Sequence, residues 1–248
     1  MEPEQSEALA IRVAVPAMVH LGVGDADRAA RFFGEVLGWE TERAEYRGHV
    51  RHYVLGELGV RPCITDEPGV PDVQLGFQVE DVAGTARLVE ELGGTVVQDQ
   101  LDDDEGPFVA VRDDQGVGLA FWPRGGQRVE PQGWAPPGGL AYFAIQVPDV
   151  ERATTFYGRL LGWPFETVGV PQYQHVADHL GGVAMGILGG EPAAGVALHF
   201  IVADLDAAAA KVIALGGTAG EPHPTGPMLA VDCRDDQGLP FSVAIPDR

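Results

Sequence analysis

Histidine moves protons and binds metals near neutral pH more readily than any other side chain, and this chain has seven. His20 lies in the alternating apolar stretch "AMVHLGV", on the strand face that also carries Met18. From that face it can contact a ligand, act as a general acid or base, or sit hydrogen-bonded in the core. Tyr142 is a second candidate proton donor. His175 and His179 have the i,i+4 spacing that pairs side chains on a helix, but "QYQHVADHLGG" reads as strand and turn, where that spacing brings nothing together. His199 alternates against Leu198 and Phe200 and is expected to point the opposite way from them. His49 and His52 receive no face. Ser242 has no neighbouring histidine in sequence to activate it and no GxSxG surrounds any serine, so a nucleophile site is not indicated. "GVGDAD" lacks the glycines of a dinucleotide fingerprint, and no cofactor is expected.

Composition narrows the classes further. Against 16 basic residues stand 37 acidic ones, a formal net charge of -21. That charge repels phosphate backbones and anionic membranes, so neither nucleic acid nor membrane is an expected partner. No apolar run approaches the roughly 18 residues of a membrane span, and "MEPEQSEALA" lacks a basic-then-apolar leader, which makes cytoplasmic the expected location. Cys63 and Cys233 are far apart without CxxC spacing and read as small buried apolar residues. Asp102 to Glu105, "DDDE", reads as a solvated loop, with a calcium site as the remote alternative.

The elements that would position these groups come in two copies. "GDADRAARFFGEVLGWE", "EDVAGTARLVEELGGTVV" and "RDDQG" recur as "PDVERATTFYGRLLGWPFE", "ADLDAAAAKVIALGGTA" and "RDDQG" some 122 to 124 positions later. Such a period means a duplicated unit of structure. Within each copy, Asp25, Asp81, Asp149 and Asp204 are expected N-caps of amphipathic helices, and the first helix should bury Ala29, Phe33, Val36 and Leu37 and stop at Gly38. Short strands follow each helix, and DDQG is a tight turn whose glycine supplies positive φ. Each copy is therefore two βαβββ units of an α+β fold. The first spans 11–124 and the second 139–247, joined by a Pro/Gly-rich linker over 125–138.

These D-x-x-R-A-x-x-F-[FY]-x-x-x-L-G-W segments, the D-[VL]…LGG helices and the DDQG turns resemble the vicinal oxygen chelate superfamily of glyoxalases, bleomycin-resistance proteins, fosfomycin-resistance proteins and extradiol dioxygenases. The resemblance covers nearly the whole chain and implies two tandem domains, each an eight-stranded half-open cup around a ligand. It also implies where a metal would be held: at Met18, Leu75 and Ala120 in one cup and at Tyr142, Leu198 and Ser242 in the other. None of these is a plausible divalent-cation ligand, so no metal is expected.

Strand parity then nominates the ligand-binding residues. The first cup is expected to present Met18, His20, Arg51, Tyr53, Leu75, Phe77, Ala120 and Trp122, and the second Tyr142, Gln146, Tyr173 or His175, Met185, Leu198, Phe200 and Ser242. Mostly apolar concavities with a few polar groups are what small-molecule sites look like. The leading expectation is a metal-free protein of the bleomycin-resistance kind that sequesters a small aromatic or hydrophobic metabolite or antibiotic, as a monomer or homodimer. The alternative is a metal-independent enzyme using His20 or a tyrosine as acid or base. A metal-dependent lyase, isomerase or dioxygenase with unexpected ligands ranks third.

Overall fold

The computed structural model describes residues 16–70, 72–101, 106–125, 134–177 and 183–247. The "DDDE" run, His179 and most of the Pro/Gly-rich linker lie outside those residues. The first copy runs through β1 (Pro16–Gly22), α1 (Ala26–Leu37), β2 (Thr41–Tyr46), β3 (His49–Val54), β4 (Arg61–Thr65), β5 (Val73–Val79), α2 (Val82–Glu91), β6 (Thr95–Gln100), β7 (Phe108–Arg112) and β8 (Gly118–Pro123). The second runs through β9 (Leu140–Val147), α3 (Val150–Leu161), β10 (Phe165–Thr167), β11 (Tyr173–Val176), β12 (Ala184–Gly189), β13 (Gly195–Ile201), α4 (Leu205–Ala214), β14 (Thr218–Ala219), β15 (His223–Thr225), β16 (Met228–Arg234) and β17 (Pro240–Pro246).

All four expected aspartates cap their helices: Asp25, Asp81, Asp149 and Asp204 accept from the backbone N–H three residues on, at 2.7 to 3.0 Å. Each such cap contributes about 1 kcal/mol. Gly38 and Gly162 end α1 and α3 in the left-handed region, at φ 72° and 68°. Burial of Ala29, Phe33, Val36 and Leu37 on α1 is as the helical spacing requires.

The strands form two sheets, β2-β3-β4-β1-β5-β8-β7-β6 and β10-β11-β12-β9-β13-β17-β16-β14, with β15 added to β16. In the first, β1 runs parallel to β4 and β5 parallel to β8, while β1 and β5 meet antiparallel. Each βαβββ unit thus supplies half of a sheet and the halves join at β1 and β5. The second sheet repeats the scheme around β9 and β13.

One face of each sheet is packed on helices and the other is concave. On the helix side, one core runs through both copies and includes Val19, Leu21, Phe33, Leu75, Phe77, Phe121, Phe143, Met185, Leu198, Phe200 and Val243. Trp39 after α1 sets its ring 5.2 Å from Phe200 of the other copy, and Trp163 after α3 sits 6.1 Å from Phe77.

The duplicated RDDQG turns close this seam reciprocally. Gln237 of the second turn accepts from Asp25 N at 2.8 Å and donates to Asp25 O at 3.0 Å, while Gln115 of the first turn makes the same pair of bonds with Asp149, both at 2.8 Å. Arg28 pairs with Asp236, and Arg152 with Asp114. Each turn therefore clasps the first helix start of the opposite copy. The clasp is unequal at one point: buried Tyr157 donates its hydroxyl to Asp113 Oδ2 at 2.8 Å, whereas Phe33 stands at the corresponding place and Asp235 Oδ2 is buried without a partner among the described residues.

Candidate functional site

The concave face of the first sheet follows from register. His20 lies beside Cys63 on β4 and Gln74 on β5; Gln74 lies beside Gly118 on β8, and Gly118 beside Arg112 on β7. Met18 begins a second row through Gly76, Ala120 and Ala110. Side chains of one row share a face, so polar and small residues alternate into the cup while large apolar ones turn to the helices.

That face encloses two adjoining spaces. An inner cavity of about 250 Å³ is lined by His20, Arg51, Thr65, Glu67, Gln74, Gln98, Phe108, Arg112 and their neighbours. An outer one of about 470 Å³ is lined by Tyr46, Tyr53, Gln100, Pro107, Trp122 and Arg124, and shares Arg51, Gln98 and Phe108 with the first. Trp122 can lie across the sheet because residue 76 is glycine: a Cβ there would overlap the indole ring. The Trp122 ring stands edge-on to His20, 6.4 Å between centroids.

The polar groups of the cup are partly committed. Arg51 gives Nη2 to Glu67 and lays its guanidinium 4.0 Å from the centre of the Tyr46 ring. Glu67 N donates to Thr65 Oγ1 at 3.1 Å, Gln74 Nε2 to Leu119 O at 3.3 Å and Arg112 Nη1 to Gly116 O at 3.0 Å. Two nitrogens on the cavity wall are buried and have no partner among the described residues: His20 Nδ1 and Arg51 Nε. Burial, aided by the Arg51 charge, lowers the His20 pKa to about 4, so its ring is neutral at physiological pH. Burial raises the Cys63 thiol to about 12, which keeps it protonated and unreactive.

The second cup differs at most corresponding places, although Arg234 matches Arg112 and donates Nη1 to Gly238 O at 2.9 Å as Arg112 does to Gly116 O. Tyr142 and Tyr173 join hydroxyls at 3.1 Å, and Tyr173 lies over Gly186, where a Cβ would come within 2.7 Å of its ring. His199 sets its ring 5.2 Å from Tyr142, and Nδ1 is buried without a partner among the described residues. Ser242 Oγ donates to Asp232 Oδ1 at 2.7 Å, and His223 Nε2 is 3.1 Å from Asp232 Oδ2. Burial lowers His199 to about 4 and, with the neighbouring Tyr173, holds the Tyr142 hydroxyl well above its ordinary range.

Of the residues expected from sequence, Met18, His20, Arg51, Tyr53 and Trp122 share the first concave face, and Tyr142, Gln146, Tyr173, His175 and Ser242 the second. Phe77, Phe200 and Met185 do not. All three are fully buried on the helix side, Phe77 stacked 5.8 Å from Phe121 and Phe200 against Trp39. Leu75 and Leu198 turn with them, opposite Val19 and Phe143. The same inversion brings His199, expected to point away, into the second cup beside Tyr142. Sequence reasoning missed Gln74, Glu67, Gln98, Phe108 and Arg112. For Gln74 a signal existed, since polar Gln74 and Gln78 flank Gly76 on one face of "VQLGFQV".

The resemblance implies a metal site, and the donor set of the two cups does not suit one. The concave row through Met18 carries Gly76 and Ala120, and the matching row of the other cup carries Tyr142, His199 and Ser242. Among the described residues no group of three His, Cys, Asp or Glu side chains could hold a metal ion. A divalent cation needs convergent imidazole, carboxylate or thiolate donors, so these residues do not fit one.

Comparison with known proteins agrees with the duplication. The profile of the glyoxalase-like domain matches residues 18–120 and again 142–244. The anthracycline biosynthesis protein DnrV of Streptomyces peucetius is 26% identical, over 92% of this chain and 92% of its own. Among solved structures, the 2,3-dioxygenase LapB from Pseudomonas sp. KL28 superposes with a TM-score of 0.65 at 15% identity, covering 95% of this chain and 92% of LapB. The Mn(II)-bound glyoxalase from Novosphingobium aromaticivorans gives 0.65 at 16% identity, covering 94% and 82%. At those identities the structural likeness speaks for the fold alone.

Proposed function

We propose that this chain, which belongs to the glyoxalase-like family of the vicinal oxygen chelate superfamily, binds a planar aromatic small molecule in its first cup without a metal ion. The observation that carries this reading is the pair of buried nitrogens without a partner among the described residues, His20 Nδ1 and Arg51 Nε, on the wall of the inner cavity, with Phe108 beside them and Tyr46, Tyr53 and Trp122 framing the adjoining outer space. Buried polar groups are normally satisfied, and a ligand oxygen between these two would satisfy them while its rings cover the aromatic walls. The similarity to DnrV supports the chemical class, because an anthracycline is a fused-ring aromatic polyketide.

Binding is favoured over proton-transfer catalysis by the acid–base character of the two candidate groups. His20, with a pKa of about 4, is a weak base at neutral pH, and Tyr142 holds its proton tightly. A neutral imidazole and an un-ionised phenol serve as hydrogen-bonding partners. Sequestration of the bound compound, with self-protection of the cell as the consequence, is the corresponding biological role. The test is a titration of metal-stripped protein with 1,8-dihydroxyanthraquinone, followed by tryptophan fluorescence and repeated after adding iron, manganese, nickel or zinc. Saturable one-to-one binding that metals leave unaltered is expected; binding that requires a metal, held stoichiometrically by the protein, would overturn the reading.

A further inference from the structure

We propose that the ligand of the first cup carries an acidic oxygen, a phenolate, enolate or carboxylate, which binds as the anion between Arg51 and His20. This rests on the reading that the cup holds an aromatic ligand, and adds its charge. The chain as a whole is strongly acidic, at -21. Yet among the described residues the inner cavity is lined by two arginines, Arg51 and Arg112, and a single carboxylate, Glu67. Among the described residues the outer cavity is lined by Arg51 and by Arg124, which stands 4.0 Å from Glu80, and by no carboxylate. A cup of net positive lining inside so acidic a protein selects anions and repels cations.

The geometry shows where the anion goes. Glu67 takes Nη2 of Arg51 and the Tyr46 ring covers the guanidinium face, which leaves Nε–H without an acceptor among the described residues. His20 reaches the same cavity from β1 with its Nδ1 equally unpaired. The groups that face His20 are Arg51 from β3, Cys63 from β4, Glu67 just beyond β4, Gln74 from β5 and Arg112 from β7. Cys63 stays a neutral thiol, Gln74 carries no charge, and Glu67 is committed to Arg51. Arg51 lowers the proton affinity of the imidazole even with Glu67 paired to it, and it is the second cause, after burial, that holds the ring unprotonated. An arriving anion would supply the missing acceptor for Arg51 Nε and raise the proton affinity of His20 at the same time.

The experiment compares two compounds with the same ring system on the intact chain: 2-hydroxy-1,4-naphthoquinone, whose enol is ionised at neutral pH, and 2-methoxy-1,4-naphthoquinone, which cannot ionise. The acid is expected to bind roughly ten- to a hundredfold more tightly at pH 7, the range of one charge-assisted hydrogen bond. Arg51→Met should abolish the preference and Arg51→Lys keep part of it. In NMR titrations the His20 ring should protonate at higher pH with the acid bound than without ligand. Equal affinities, or a preference for the methoxy compound, would overturn the anionic ligand and leave the aromatic site standing. Failure of both compounds to bind would overturn the two readings together.

Discussion

Removing one oxygen from the seam between the copies tests whether the RDDQG turns hold the molecule together. In Tyr157→Phe, Asp113 Oδ2 loses its 2.8 Å partner in a site where Tyr157 is wholly buried and Asp113 is only 4% exposed. A hydrogen bond to a charged group contributes about 1.5–3 kcal/mol, and the stranded carboxylate keeps its desolvation cost. For a chain of this length each kcal/mol moves the melting temperature by about 2–4 °C, so a loss of about 2 kcal/mol corresponds to about 4–8 °C. The reciprocal change, Phe33→Tyr, offers a phenol to the orphaned Asp235 Oδ2. Its gain should be smaller, about 1 kcal/mol, because the new oxygen enters a core position with no exposure. Differential scanning calorimetry of the parent, both single variants and the double variant gives the comparison, the double variant lying between the singles. The reasoning fails if Tyr157→Phe melts within about 1 °C of the parent, or if its loss is undiminished in an Asp113→Asn background, where the carboxylate it serves is gone.

Other expectations follow from the same contacts. Burial raises the Asp235 carboxyl above its ordinary 3.8, so the folded chain binds that proton more tightly than the unfolded one. Its stabilising effect is fullest below that value and fades as pH rises through the folded pKa; Asp235→Asn should therefore compare more favourably with the parent at pH 7 than at pH 4 in paired thermal melts. Gly76→Ala places a methyl group in the Trp122 ring and should shift tryptophan emission and weaken first-cup binding at least about tenfold, while the fold survives because the ring faces the cup. Gly186→Ala displaces Tyr173 instead and should leave ligand affinity in the first cup unaltered, by the same titration. Asp25→Ala removes an N-cap acceptor and should cost about 1 kcal/mol in urea denaturation.

The architecture was legible in sequence because its signals are local. An aspartate before an amphipathic run caps a helix whatever surrounds it, and a glycine after DDQ takes positive φ in either copy, 106° at Gly116 and 94° at Gly238. The cups were only half legible. On β1 the polar His20 marked the concave face correctly. On β5 and β13 the larger apolar residues were assigned to the pocket, although Leu75, Phe77, Leu198 and Phe200 are the ones that bury most area against helices and neighbouring rings. A half-open sheet spends its bulk on the covered face, so the polar and small members of "VQLGFQV" are the ones facing the cup. Arg112 and Glu67 were missed for another reason. They lie at a strand end and in a loop, where no period of two predicts a direction.

The unequal histories of seam and cups bear on what the duplication is for. Both copies keep the turn, the glutamine clasp and the arginine–aspartate pair that join them. Their concave faces share almost nothing: His20, Arg51 and Trp122 in one, Tyr142, His199 and Asp232 in the other. Had each cup served the same ligand, the facing residues would be constrained at least as tightly as the turns. What both copies hold in common is instead the core that only two of them can complete, since Trp39 of the first packs on Phe200 of the second and Trp163 of the second on Phe77 of the first. Pairing is thus the shared structural requirement, and under the proposed binding role each cup is free to differ from the other. A ligand that saturates the first cup should accordingly leave the Tyr142–Tyr173 pair untouched, and Tyr142→Phe should alter neither its affinity nor its stoichiometry of one per chain. A second equivalent bound per chain with matching affinity would contradict this division of labour.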